Sequence, residues 1–323
     1  MEFLQTMLNS MPGAVGQGLI WGLMAMGVYI TYRILDVADL TVDGSLATGG
    51  AVCVLLTVNG CSPALALVCA VLAGMAAGLV TGLFHTRCGI PAILAGILTQ
   101  LALYSINLRI MGFGTKTGTQ ATLAVSVNKF DLLVSSRYIR EWSLNNPLPL
   151  LLVCIVVVVA LLYWFFGTEL GSAVRSTGAN RNMSRAQGIN TDFTTVLGLM
   201  ISNGLVALSG ALLAQYQGSA TIDMGRGAIV IGLAAVIIGE VVFGKVFRNF
   251  GLKLLSGVLG AIIYYIVIQL VLRLGLDTND LKLLTALIVA LFLSIPYWRG
   301  KYFRTKIKSA PVAVAQEGGK QDA

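Results

Sequence analysis

The sequence predicts an all-α bundle that crosses a membrane about nine times. Three observations carry this. Of the 323 residues, 56% are hydrophobic and 11% charged, against about 45–50% and about 25% in soluble domains. Mean hydropathy is +0.83, so a soluble chain would expose apolar patches that monomers do not tolerate. The apolar residues also come in runs near the roughly 20 residues needed to cross about 30 Å of hydrocarbon as a helix. Strand-like alternation is weak, which argues against a barrel, and helices then remain as the way to satisfy backbone groups in lipid. The 37 glycines suit close helix packing.

Charges, Pro and Gly divide the runs into spans expected at 13–32, 44–60, 63–84, 89–110, 147–166, 193–216, 227–244, 253–273 and 282–297. The N-terminal MEFLQTMLNSMPG has no basic n-region, so the first span is expected to be retained. The second span is short, and Asp36, Asp39 and Asp43 lie just before it. These acids either line a cytoplasmic loop, paired with Arg33, or sit in a broken helix; the Thr41–Gly44 turn and the Gly49–Gly50 pair allow the latter. The ninth run is short and ends at Pro296.

Placing 167–192 in the cytoplasm puts fourteen of the 22 Lys and Arg residues on that side and eight outside. That bias predicts the N-terminus out and the C-terminus in. The basic run RGKYFRTKIK after the last span reads as its anchor, and residues 301–323 form a basic tail that becomes disordered. Residues 1–300 then make one transmembrane domain. The net charge of +8 belongs to this pattern and not to a nucleic-acid partner. Five cysteines without a CxxC, and His85 as the single histidine, leave no disulfide framework and no metal site.

Chemistry for an energy source is missing. GEVVFGKV (239–246) has the GxxxxGK spacing, but Val246 stands where Mg²⁺ needs a hydroxyl, and the glycines end an apolar run. Glu240 reads as a snorkelling acid near Lys245 and Arg248. One histidine and no paired acids deep in a span leave no acid–base couple. The span centres carry almost no ionisable groups of the kind that drive secondary transport. Energy is therefore expected from a partner protein.

The stretch Gly167 to Asn190 is the most informative. Asn180 is placed to cap a short helix over 181–187, and Gly188 to stop it. Met183 and Ala186 share one face, Arg181 and Arg185 another. A motor protein could grip such a segment; by spacing alone it is equally an ordinary basic loop. The run resembles the cytoplasmic coupling segment of ABC-importer permeases of the branched-chain amino acid and ribose type. Gly171, Arg175, Gly178, Asn180, Gly188, Ile189 and Asn190 fit that pattern, whereas Ser176 replaces its usual Ala and Ala186 lies a residue or two from its small position. The resemblance continues through SGALLAQYQG (209–218) and GAIVIGLAAVIIGE (227–240). ILDVADLTVDGSLATGGAV (34–52) resembles a subgroup linked to aromatic and other amino acids.

The resemblance implies a permease subunit for a small solute, with an amino acid expected. It is not itself an enzyme and has no cofactor; ATP is used by partners. Those partners are two cytoplasmic ATPase subunits, an extracytoplasmic solute-binding protein and a second permease, expected to be an identical copy. A secondary transporter or facilitator without an ATPase is the rival reading. Asp39 and Asp43, followed by Gln100, Asn107, Asn203 and Gln215, are the expected path residues. The 111–146 loop is long for a loop without function. Its 130–142 stretch is expected to form a surface helix that either touches the binding protein or covers the outer mouth.

Overall fold

The computed structural model describes residues 2–115, 117–125, 132–139, 146–244, 246–247 and 249–273, with scattered positions between 283 and 294. Only those scattered positions fall in the expected ninth span, and the 301–323 tail, Lys245 and Arg248 lie outside the described residues. In chain order the helices are α1 (Glu2–Tyr29), α2 (Val42–Val58), α3 (Pro63–Thr86), α4 (Ala92–Met111) and α5 (Pro147–Gly167). Then come α6 (Glu169–Ala179), α7 (Arg181–Ala186), α8 (Thr191–Gln217), α9 (Ala228–Phe243) and α10 (Phe250–Arg273). A π-helical turn, Ile30–Ile34, extends α1. Seven of the helical segments described are long and apolar enough to cross a membrane; α2, with 17 residues, is too short by that measure. The chain is a polytopic helix bundle.

The boundaries follow local chemistry. Pro63 and Pro147 open α3 and α5, where a missing N–H costs nothing. The Asn146 side chain caps α5 through the Leu148 N–H at 3.0 Å. Gly218, at φ +74°, stops α8 in the left-handed conformation.

Helix α8 forms the centre, with α3 and α2 against one side and α1 against another. Lipid supplies no hydrophobic drive between helices, so close approach and dispersion must hold them. Small residues provide the approach. Gly74 and Gly78 of α3 lie on the α8 backbone at Asn203 and Leu199, and Gly49 and Gly210 sit between α2 and α8. At each, a Cβ would meet backbone atoms of the neighbour. The aliphatic core, including Ile20, Leu23, Met24, Leu46 and Leu213, fills the space between these seams.

Two regions depart from the expected pattern. The first is not all-helical: strands β1 (Thr122–Ala124) and β2 (Ser219–Thr221) pair antiparallel, joining the 111–146 loop to the α8–α9 connection. Short exposed Thr- and Ala-bearing segments gave no periodicity by which to see them. The second is the surface helix expected over 130–142. Within the described residues 132–139 it is a single 3₁₀ turn at Ser136–Tyr138, because Val134 drops fully into the core instead of lying on the surface. Arg140 and the rest of that stretch lie outside the described residues.

The feature that positions the site is a crossing in two pieces. After the π-turn, Asp36 adopts φ +54° and residues 35–41 leave the helical conformation. Asp is one of the few side chains that tolerate this region. Helix α2 begins only at Val42, beside Asn203, which is one residue from the centre of α8. Helix α9 also begins inside the bundle, at Ala228, where its first N–H groups meet Asp43. The two helix starts face each other.

Candidate functional site

The acids hold this meeting point together. Asp39 is 2% exposed and both its carboxylate oxygens are engaged. Oδ1 accepts the Thr41 N–H at 2.9 Å, and Oδ2 accepts Asn203 Nδ2–H at 2.7 Å. Asn203 Oδ1 in turn accepts the Ser45 hydroxyl at 2.6 Å. One network thus ties the unwound segment, the first turn of α2 and the middle of α8, with each buried polar atom named here satisfied. Asp43 accepts the Gly227 and Ile229 N–H groups, each at 3.0 Å, and so caps α9. A carboxylate there meets both unpaired donors and the positive end of the helix dipole. A hydroxyl chain, Thr41 to Thr81 at 2.7 Å and Thr81 to Thr99 at 2.9 Å, links the same turn to α3 and α4.

Asp39 is buried and Asp43 half-buried at the break before α2, as the broken-helix reading expects, whereas Asp36 is exposed; none of the three pairs with Arg33 among the described residues. Arg33 instead pairs with Glu240 at 3.1 Å, joining the ends of α1 and α9. Gly239 to Phe243 are helical, and Gly239 packs on the Ser256 backbone, so the GxxxxGK spacing forms no phosphate loop.

The six expected path residues sort into three groups. Asp43, Gln100 and Asn107 line one cavity of about 170 Å³, together with Tyr104, Ile222 and Arg226. Asp39 and Asn203 bond to each other in the interior. Gln215 is buried with Nε2 against Cys53 Sγ at 3.2 Å. Sequence reasoning marked Thr41 only as the start of a turn and Arg226 only as a basic residue, and did not single out Ser45, Thr81, Thr99 or Tyr104. A threonine in an apolar helix ordinarily bonds its own i−4 carbonyl, as Thr81 does to Ala77, so nothing marked these as partners of one another.

The segment after α5 is a pair of helices rather than one. Helix α6 has eleven residues, with Thr168 as its N-cap, and was not foreseen from its polar composition. Its buried residues Gly171, Val174 and Thr177 recur every third position on the face toward the bundle, a period that the glycines obscured. Gly178 abuts the Ile34 carbonyl, leaving no room for a side chain. Arg175 lies over the Phe250 ring at 5.7 Å, so its charge faces α10.

Helix α7 matches the expected cap. Asn180 Oδ1 accepts the Met183 N–H at 3.0 Å, and Gly188, at φ +82°, ends the turn with open space around it. The two arginines pin it to α8: Arg181 donates to Thr195 at 3.1 Å, and Arg185 donates to Thr191 at 2.8 Å and to Asp192 at 3.1 Å. Asn190 caps α8 through the Phe193 N–H at 3.1 Å. Ser184 is buried, whereas Met183 stands 59% exposed on the opposite side. Ala186 is also exposed.

Comparison with known proteins decides what this arrangement belongs to. Residues 11–294 match the family described as branched-chain amino acid transport system, permease component. The chain belongs to that family. The tyrosine transport system permease protein of Clostridioides difficile is 38% identical over 304 residues, covering 94% of this chain and 97% of that protein. An uncharacterised Rickettsia prowazekii protein is 33% identical over 289 residues, covering 89% and 98%. The ribose import permease of Escherichia coli is 25% identical over 232 residues, covering 72% and 69%. The chain is thus a permease subunit of an ATP-binding-cassette importer, a multi-pass protein of the bacterial plasma membrane, and it works with ATPase and binding-protein partners. A facilitator without an ATPase is not favoured.

Proposed function

We propose that this permease carries an amino acid of the tyrosine kind inward, and that a cytoplasmic ATPase drives it by gripping α6 and α7. The observation that carries the coupling role is that α7 is fixed to α8 by Arg181 and Arg185 while Met183 projects outward. A short helix held rigidly to the bundle, with Met183 and Ala186 among its exposed residues, transmits force from a protein cleft. Gly178 passes it on to the end of α1, directly before the unwound segment. The amino-acid reading draws on the name of the Clostridioides relative.

The remaining architecture follows from charge. Among the described residues, Arg33, Arg87, Arg175, Arg181, Arg185 and Lys253 lie at the α6–α7 end, and Arg109, Arg137 and Arg226 toward the other. That balance supports α6–α7 in the cytoplasm, the N-terminus out and the C-terminus in. Nine spans complete the bundle, with 282–297 as the ninth. Two identical permeases flank the path, ATP is hydrolysed only by the partner subunits, and no metal or cofactor takes part. Asp39, Asp43, Gln100, Asn107, Asn203 and Gln215 border or brace that path.

Replacing Met183 by Glu tests the coupling role in the reconstituted importer. ATP-driven uptake of L-tyrosine is expected to fall at least tenfold, and the ATPase to separate from the permease on purification, while membrane insertion is unchanged. Full copurification with full uptake would refute it. Orientation is read separately: a cysteine placed at Ser309 should resist an impermeant thiol reagent in intact cells.

A further inference from the structure

We infer that the cavity between α2, α4 and the 222–226 turn receives the zwitterionic head of an α-amino acid during its passage; this rests on the transport reading above. The cavity is built, not accidental. Asn107 on α4 is 1% exposed and lines it, yet neither its Oδ1 nor its Nδ2 has a hydrogen-bond partner among the described residues. An amide has two donors and two acceptor sites, and buried groups of this kind are nearly always satisfied. One turn to either side on α4, Leu103 and Met111 are buried and apolar and offer it no partner.

The rest of the lining says what would satisfy it. Asp43 accepts the Gly227 and Ile229 N–H groups, and the Ala228 N–H is also directed at its carboxylate; of the roughly four acceptor sites of a carboxylate this leaves about one for a solute. Arg226 contributes to the same cavity and is paired through Nε with Asp223 at 2.8 Å. A guanidinium has five donors, so a single-atom contact does not exhaust it. Carboxylate, guanidinium and open amide together match an ammonium and a carboxylate on one small molecule. The ammonium lies toward Asp43, and the carboxylate toward Arg226 and the Asn107 amide N–H. Tyr104, Leu101 and Ile222 then flank the side chain of the solute.

Water would fill about 170 Å³ with roughly five or six molecules. Water alone would explain the unpartnered amide; Asp43 also caps α9 and Arg226 also pairs with Asp223, and a zwitterion would use the capacity that these contacts leave.

The test uses the full chain with its five cysteines replaced, shown first to retain uptake, and with Asn107→Cys added. A small water-soluble methanethiosulfonate should label this cysteine. L-Tyrosine, L-phenylalanine or L-leucine at millimolar concentration should slow labelling at least fivefold. Tyramine and 4-hydroxyphenylpropionate, which each lack one of the two charges, should not. No labelling, equal labelling in the presence of every amino acid, or protection by D-ribose would each overturn the inference. In the complete importer, Asn107→Leu should cut uptake at least tenfold while the loaded binding protein still stimulates ATP hydrolysis. Parallel loss of both activities, or loss of neither, would count against it. Absence of amino-acid uptake by the unaltered importer is a different result, since it removes the transport reading without touching the labelling outcome.

Discussion

Helices α4 and α5 are equally uncovered, with 28% of each apolar window buried, yet their bare sides differ in chemistry. Helix α5 buries a stripe, Leu151, Ile155, Val158, Leu162 and Phe166, and shows outward Leu152, Val153, Val156, Val157 and Leu161. Tyr163 and Trp164 close that surface at one end, as an interfacial aromatic belt would. Helix α4 exposes Leu98, Leu101 and Ile106, but also Tyr104 and Ser105, and beneath them opens the cavity holding Gln100 and Asn107. Exposure alone therefore does not define a lipid face. Polar groups that open sideways into hydrocarbon are costly, so the bare side of α5 suits lipid and that of α4 does not.

Matched substitutions can break this contrast. Val157→Asp on α5 places a charge in hydrocarbon at about 3 kcal/mol, so its amount in the membrane fraction should collapse. Leu101→Asp on α4 should leave that amount within about twofold and reduce uptake instead. Equal losses in the two variants would abolish the distinction. The interior offers a reference for both. Asn203→Leu strips Asp39 of its Nδ2–H partner and should destabilise the bundle by about 2 kcal/mol, read as a lower unfolding temperature in detergent. Asn180→Ala removes the α7 cap at about 1 kcal/mol; uptake should fall while the unfolding temperature of the spans stays put. The mildest comparison is Ser105→Ala, which should change stability by no more than about 0.5 kcal/mol. A larger loss would mean that α4 is packed against something at this point.

The long spans were legible because their signals are redundant. Helices α3 and α5 have continuous apolar runs with proline at the first position, and length, composition and start signal agree. The α7 cap at Asn180 and the stop at Gly188 were equally readable, since capping is local. What could not be read depends on partners far along the chain. The start of α2 is set by Asn203 and by the α9 N-terminus, and no window around Asp39 or Asp43 contains either. Helix α6 was missed for another reason: its buried face is made of Gly171, Val174 and Thr177, a stripe too weakly apolar to show as periodicity. The turn at Ser136–Tyr138 misled in the opposite direction, because the amphipathic pattern there serves inward packing, with Val134 fully buried and Leu132 and Ile139 half-buried against the core.

The two-piece crossing also bears on biogenesis. Asp39 waits for a partner 164 residues later in the chain, and Asp43 for partners 184 and 186 residues later. At about 5–20 residues per second of synthesis, that is on the order of ten to forty seconds. During this interval the first turn of α2 has no way to settle in hydrocarbon with its acids ionised and unmet. The nascent α1–α2 segment is therefore expected to rest in a wet or proteinaceous site, such as the insertion machinery, until α8 and α9 emerge. A ribosome stalled before residue 203 would hold a chain whose second helix has not yet entered the bilayer for good.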